Sequence, residues 1–176
     1  MKNRQSAAGM NERIKSRQDL RDILDRHRAE GRKIVLTNGC FDLLHVGHLH
    51  TFREARKLGD IFVVALNSDD SVRALKGADR PFVSEDQRAE LIAELRSVDY
   101  VVIFNELDPL AIVTELQPDV LVKGEDWKEG TIIGQNVVEA RGGKVVRIPL
   151  VKGVSTTALM NRLRLTPKCS STPSIS

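Results

Sequence analysis

Residues 37–48 read TNGCFDLLHVGH, and the first two of them complete a short apolar run, KIVLTN, at residues 33–38. The run predicts a β-strand, and the glycine after it predicts that the strand ends there. His45 and His48 are three positions apart, so on one helical turn both side chains project to the same side. Gly47 between them has no side chain, which lets a phosphate approach the backbone closely. The segment therefore predicts a strand, a turn and a helix start that bind an anion.

Further elements follow along the chain. Four more apolar runs predict strands at residues 60–66, 99–104, 120–122 and 144–148. Because these runs are apolar throughout, they suit strands buried on both faces of a parallel sheet. Helices are predicted between and around them at residues 11–30, 49–57, 85–96, 109–116, 133–140 and 155–164. The alternation predicts a single-domain α/β fold, a Rossmann-like doubly wound parallel sheet of about five strands.

The chain length supports one domain with a sizeable core. We divide the 176 residues into an N-terminal helical extension (1–31), the main domain (32–165) and a tail (166–176). The tail is rich in Ser, Thr and Pro, a composition that predicts disorder.

Composition restricts the classes of partner. The 27 basic residues exceed the 24 acidic ones by a net charge of only +3, and no block of five or six basic residues occurs. Five Phe, one Tyr and one Trp are too few for a base-stacking platform, so nucleic-acid binding is disfavoured. No apolar run approaches the ~20 residues of a membrane span, and the polar start predicts no export signal. With two cysteines only, a reducing cytoplasm is expected.

Ligands of such a sheet gather at the carboxyl ends of the strands. Five loops lie there, at residues 37–48, 67–81, 105–109, 123–130 and 149–157. Neither G-x-G-x-x-G after the first strand nor G-x-x-x-x-G-K-[ST] occurs, which disfavours a dinucleotide-binding oxidoreductase and a P-loop kinase.

The tetrad HVGH at residues 45–48 resembles the HxGH signature of the cytidylyltransferase-like nucleotidyltransferases. Further segments stand in the order of one branch, the D-glycero-beta-D-manno-heptose 1-phosphate adenylyltransferases (ADP-heptose synthases). They are NSD at 67–69, KG at 76–77, RP at 80–81, PDVLVKG at 118–124 and GVSTT at 153–157. The resemblance covers about residues 33–163.

The resemblance implies transfer of AMP from ATP to a heptose 1-phosphate, giving ADP-heptose for lipopolysaccharide core synthesis and pyrophosphate. It implies Mg²⁺ held mainly by the ATP phosphates, with no metal site on the protein, and a homo-oligomer. In many bacteria a sugar kinase is fused to this activity. This chain is too short for that kinase, so a separate heptose kinase is expected.

The resemblance also assigns residues. The catalytic set is His45, His48 and Lys123. Nucleotide contacts are expected from Thr37, Asn38, Gly39, Phe41, Gly47, Gly124, Asp126, Ser155, Thr156 and Thr157. Substrate contacts are expected from Asp42, Lys76, Arg80 and Arg88, the three basic residues serving either the sugar phosphate or the triphosphate tail. One position departs from the family, because Met160 stands where many members have an arginine (ISSTxxR).

Several alternatives stay open. The His pair could be structural, capping a helix, or could bind zinc with Cys40 and His50. A glycerol-3-phosphate cytidylyltransferase or a flavin adenylyltransferase would use the same His pair. A nucleotide-binding protein without turnover belongs to a different class, and binding without pyrophosphate release would identify it.

Overall fold

The computed structural model describes residues 11–125 and 132–165, apart from the side chains of residues 158, 161 and 163–165. Each predicted strand is present within two residues of its expected bounds. In chain order the elements are α1 (Arg17–Ala29), β1 (Ile34–Gly39), α2 (Val46–Arg56), β2 (Ile61–Asn67), α3 (Asp69–Lys76), α4 (Glu85–Ala93), β3 (Tyr100–Phe104), α5 (Leu110–Leu116), β4 (Val120–Gly124), α6 (Gln135–Ala140), β5 (Lys144–Ile148) and α7 (Thr156–Leu165).

The five strands form one parallel sheet in the order β3-β2-β1-β4-β5. Strand β1 lies in the middle. The chain builds outward from it through β2 and β3 on one side, and returns to its other flank with β4 and β5. The direction of winding therefore reverses between β1 and β4, and in such sheets a crevice for ligands opens at the carboxyl ends of these two strands.

Successive side chains of each strand enter two separate cores. Ile34 and Leu36 of β1 pack in a cluster with residues of α1, α5 and α6, whereas Val35 packs in a cluster with residues of α2 and α4. Helices therefore cover both faces of the sheet, which explains why the strands read as continuous apolar runs. The predicted doubly wound α/β class is confirmed.

The segment before residue 32 packs against the same sheet. Ile14 forms a parallel bridge with Val101 on the edge strand β3, and the Lys15 amide donates to the Val101 carbonyl at 2.9 Å. Leu20 and Leu24 of α1 are fully buried in the core. The predicted helix over 11–30 was too long at its start, because residues before Ser16 extend along β3 instead.

Three other predictions were wrong: one helix was missed, and two helices differ in their bounds. Residues 67–81 were expected to be a loop, yet α3 forms there, since the Ser68 hydroxyl accepts the Ser71 amide at 3.2 Å and Val72 is buried. Helix α2 begins at Val46 rather than at residue 49, which places the His pair in its first turn. Helix α4 ends at Ala93 instead of residue 96.

No helix in the described part of the chain is long and apolar enough to span a membrane. Asp126, and the tail predicted over residues 166–176, lie outside the described residues.

Candidate active site

The carboxyl ends of β1 and β4 are joined through side chains. The Thr37 hydroxyl donates to the Val122 carbonyl at 3.1 Å, and the Lys123 ammonium donates to the Asn38 amide oxygen at 2.5 Å. Lys123 is only 5% exposed. A buried ammonium thus stands at the crevice where the winding reverses, and Gly124 follows it as the last residue of β4.

Phe41 folds back on the loop after β1. Its backbone has φ of 43°, a left-handed conformation that is uncommon for a bulky residue. A side chain at position 39 would begin 3.0 Å from the Phe41 ring, so Gly39 leaves the space that the ring needs. The ring meets the edge of His48 at 5.2 Å and of Phe52 at 5.1 Å between centroids. The Phe41 ring therefore packs against His48 and restricts its position.

The two histidines of the motif stack on each other. Their ring centroids are 3.7 Å apart and their planes differ by 18°. His45 is the N-cap residue of α2, and its carbonyl accepts the His48 amide at 2.9 Å. A Cβ atom on residue 47 would lie 2.9 Å from Nδ1 of His45, so Gly47 is required by the imidazole beside it. The glycine therefore serves the stacked pair as well as any approaching phosphate.

Burial keeps the stacked pair uncharged. It lowers the pKa of His48 to about 4, with a further contribution from the adjacent His45, and it also lowers the pKa of His45. The Nδ1 atoms of both rings are buried without a hydrogen-bond partner. An anion bound beside the rings would raise both pKa values, because an opposite charge favours the protonated form. The two imidazoles can therefore take up protons when negative charge is bound beside them.

A second helix begins next to the first. The carbonyl of Val154, just before α7, lies 3.8 Å from the place that a Cβ atom of Gly47 would occupy. Ser155 precedes α7, and Thr156 and Thr157 are its first two residues, so the amide end of this helix begins near the start of α2. Helix N-termini carry free N–H groups and a positive dipole. Two of them at one point make a site for a polyphosphate.

Asp42 faces the protein. Its side chain is 1% exposed, and it accepts from Arg80 Nε at 2.6 Å and from the amides of Phe82 and Val83 at 2.8 and 3.1 Å. In this arrangement the carboxylate holds the segment between α3 and α4 against the loop after β1. The Arg80 guanidinium also lies 4.9 Å above the Phe82 ring. The sequence carried no signal for Phe82, since an exposed aromatic residue near an arginine is common.

Arg88 is fully buried and ties several segments together. It donates to the carbonyls of Cys40 at 2.6 Å, Asn67 at 2.9 Å and Val83 at 2.9 Å, and it pairs with Asp69 at 2.7 Å. These acceptors occupy Nε and both terminal nitrogens. The structure therefore places Arg88 beneath the site, as a support for the ends of β1 and β2.

The basic residues predicted for the substrate do converge on the end of β1. Burial raises the pKa of the Cys40 thiol, while the positive charges of Lys76, Arg88 and Arg80, in that order, act to lower it. Lys76 is the last residue of α3 and is exposed, unlike Arg88. The loop thus lies in a positive field, which suits polyphosphate and sugar phosphate ligands.

Metal ligands are not clustered in residues 11–125 and 132–165. No group of three His, Cys, Asp or Glu side chains there could hold a metal ion. Cys40, His45, His48 and His50 therefore do not form the zinc site considered as an alternative. The site instead consists of imidazoles, cations and helix N-termini, a donor set for anions.

Comparison with known proteins agrees with this geometry. A family model described as cytidylyltransferase-like matches residues 36–174. The bifunctional protein HldE of Syntrophotalea carbinolica is 50% identical over 151 residues, which are 86% of this chain and 31% of the relative. HldE of Trichlorobacter lovleyi is 48% identical over 151 residues with the same two shares. The chain thus spans about a third of the length of these curated relatives.

A solved structure is also similar. It is the crystal structure of the lipopolysaccharide core biosynthesis protein from Thermoplasma volcanium GSS1, with 34% sequence identity and a TM-score of 0.58. The match covers 69% of this chain and 98% of the other. Almost the whole of that chain is therefore matched by part of this one.

Proposed function

The chain belongs to the cytidylyltransferase-like family, and from that premise we propose that it transfers AMP from ATP to D-glycero-beta-D-manno-heptose 1-phosphate. The observation that carries the proposal is the stacked pair of His45 and His48 at the start of α2. The sequence motifs of the heptose branch support this acceptor. The HldE relatives and the lipopolysaccharide core biosynthesis protein support the same pathway.

The chemistry is one in-line displacement. An oxygen of the heptose 1-phosphate attacks the α-phosphorus of ATP and forms the new P–O bond, while the bond to the β-phosphate breaks and pyrophosphate leaves with its electron pair. Such a reaction needs no covalent intermediate on the protein. The protein contributes by positioning two anionic reactants and by stabilising the charge that develops on the phosphorus oxygens.

The two histidines act at the α-phosphate. Neutral in the free protein, they gain protons or share them more strongly as the polyphosphate binds. Their hydrogen bonds strengthen further as charge develops on the α-phosphate oxygens, so the interaction is stronger in the transition state than in the bound ground state. Lys123 supplies a fixed positive charge from the end of β4, and Thr37, Asn38 and Phe41 form the wall of the nucleotide pocket. Ser155, Thr156 and Thr157 face the outer phosphates.

Magnesium would be held mainly by the phosphates of the bound nucleotide. The described site offers cations and N–H donors, so it fits a triphosphate whose own oxygens carry the ion. The ion would neutralise part of the negative charge on the triphosphate. The residues that hold the loaded triphosphate are the His pair, Lys123 and the first turn of α7. The cytoplasm, the homo-oligomer and the separate heptose kinase expected from the sequence stay predictions.

The test is release of pyrophosphate. Purified protein is incubated with Mg²⁺ and heptose 1-phosphate, together with either ATP or CTP, and compared with a His48→Ala variant. Release with ATP only, lost in the variant, is the expected result. Release with CTP only would retain the mechanism but reject the nucleotide and the heptose branch. Nucleotide binding without release from any phosphorylated acceptor would indicate a nucleotide-binding protein without turnover.

A further inference from the structure

Arg80 reaches across the site from the segment between α3 and α4. Its Nη1 atom lies 3.4 Å from the sulfur of Met160 on α7, while Nε is held by Asp42. The side chain is 19% exposed. Within the described residues no acceptor contacts Nη2. Nε and Nη1 are thus engaged within the protein, and Nη2 is available for a ligand.

The contact with Met160 locates this guanidinium relative to the start of α7. Thr156 and Met160 are four residues apart, so they lie on one face of the helix. Four residues correspond to about 6 Å along the helix axis. An anion bound by the first turn of α7 on that face therefore lies within reach of Arg80. Position 160 itself carries no charge, so Arg80 provides a cation beside that position of α7.

The other two basic candidates do not offer the same geometry. Arg88 donates hydrogen bonds to four protein acceptors beneath the site. Lys76 lies at the exposed end of α3, next to Gly77, where an added Cβ atom would meet nothing within 4 Å. Of the three, only Arg80 has its Nε held by Asp42 and its Nη1 in contact with α7.

Resting on the proposed nucleotidyl transfer, we propose that Arg80 binds the β- and γ-phosphates of the nucleotide, and that Asp42 is the positioning residue that aims it. This resolves the choice between sugar phosphate and triphosphate tail in favour of the tail. Both Asp42 oxygens are used on the Arg80 segment, which comprises Arg80, Phe82 and Val83. Loss of the carboxylate therefore releases the arginine together with its backbone.

Binding measurements on the full chain test the proposal without any acceptor. Calorimetry compares inorganic pyrophosphate, AMP and Mg²⁺–ATP. Arg80→Gln should weaken pyrophosphate and ATP by about 10-fold or more, the order of a lost charge-assisted hydrogen bond, with AMP changed less than about 2-fold. Arg73→Gln is the matched control, since Arg73 is an exposed arginine paired with Asp70 on α3. It should bind all three ligands as the unmodified chain does.

Two further variants test the positioning role. Asp42→Asn should show the same selective loss, and the Asp42→Asn/Arg80→Gln double variant should be no weaker than Arg80→Gln, because Asp42 acts through Arg80. Met160→Arg in the Arg80→Gln background should restore pyrophosphate binding from α7. If Asp42→Asn does not fold, this rescue still tests whether a cation at this position binds the outer phosphates.

Several results would overturn the proposal. They are equal losses for AMP and pyrophosphate, no loss in Arg80→Gln, additive losses in the double variant, or a rescue variant that stays as weak as Arg80→Gln. Failure of the proposed function appears differently. A chain that binds ATP and pyrophosphate through Arg80 but does not turn over heptose 1-phosphate would reject the acceptor and leave the Arg80 assignment intact.

Discussion

Polar groups at the amino and carboxyl ends of the strands differ in their hydrogen-bond partners. At the amino edge, aspartates that precede strands accept amides from neighbouring strands. Asp60 accepts from Lys33 at 2.8 Å, Asp119 from Ile34 at 2.7 Å and Asp99 from Phe62 at 2.7 Å. Each carboxylate satisfies an N–H group that begins a strand, where the ladder offers no partner. These strand starts are therefore closed by hydrogen bonds within the chain.

At the carboxyl edge the chain leaves groups unsatisfied. The Nδ1 atoms of His45 and His48 are buried without partners, and Phe41 adopts a left-handed backbone conformation. Such features cost stability and persist where the surrounding structure enforces them, often at functional sites. The comparison teaches that one edge contributes to stability and the other is organised for a ligand.

The size of a cavity does not identify which edge of the sheet binds the ligand. A cavity of about 890 Å³ opens at the amino edge, beside α1 and the starts of β2 and β3. Its lining includes Arg32, which pairs with Glu30 at 3.0 Å, and His27, whose buried Nδ1 atom has no hydrogen-bond partner and lies 3.8 Å from Glu30. The candidate site lies at the opposite edge, where two stacked imidazoles and a buried ammonium stand at the strand ends.

The largest expected effect is on turnover at the carboxyl edge. His48→Ala should lower the rate of pyrophosphate release by on the order of 10² or more, because charge stabilisation at the α-phosphate is lost. Steady-state kinetics measure this, and circular dichroism checks that the fold is intact. A folded variant with near-normal turnover would remove His48 from the reaction.

Lys123→Met keeps much of the shape of the side chain and removes its charge. We expect turnover to fall by about 10- to 100-fold, since a buried ammonium near the phosphates is lost. Lys57→Met, at an exposed lysine beyond α2 that pairs with Glu54, serves as the control and should retain its rate. If both variants have the same activity, the role of Lys123 is structural.

The amino edge should respond in stability only. Asp119→Ala leaves the Ile34 amide without its acceptor, which should lower the free energy of unfolding by about 1–3 kcal/mol. Asp119→Asn retains an acceptor oxygen and should lose less. Urea unfolding measures both, and the turnover of the folded protein should not change. A rate loss comparable to that of His48→Ala would contradict the division between the edges.

The smallest expected effect is a dependence of stability on pH. The unfolded chain protonates His48 near pH 6.5, whereas burial lowers its pKa in the folded protein to about 4. Between these values the unfolded state binds more protons, so the free energy of unfolding decreases as the pH falls, by roughly 1–2 kcal/mol at pH 5. His48→Gln should flatten this part of the profile. An equally steep decline in the variant would assign the effect to other groups.

Much of the architecture was readable from local sequence. All five strands lie where continuous apolar runs predicted them, and the family resemblance based on residues 45–48 and the later motifs is confirmed by the matching family model. Helix α3 was missed because its start depends on Ser68 and on burial of Val72 under other elements. Propensity within the segment did not reveal that packing.

The sequence by itself determined the parallel sheet, the His-Gly-His spacing and the concentration of polar residues at the carboxyl ends, because periodicity and chain order are local properties. Tertiary structure alone decided that Asp42 and Arg88 point into the protein while Arg80 points across it. Arg88 bonds to residues 21 and 48 positions away, and Asp42 to residues 38 to 41 positions away. A buried charge is stable only where the fold supplies its partners, and sequence spacing does not show which partners arrive.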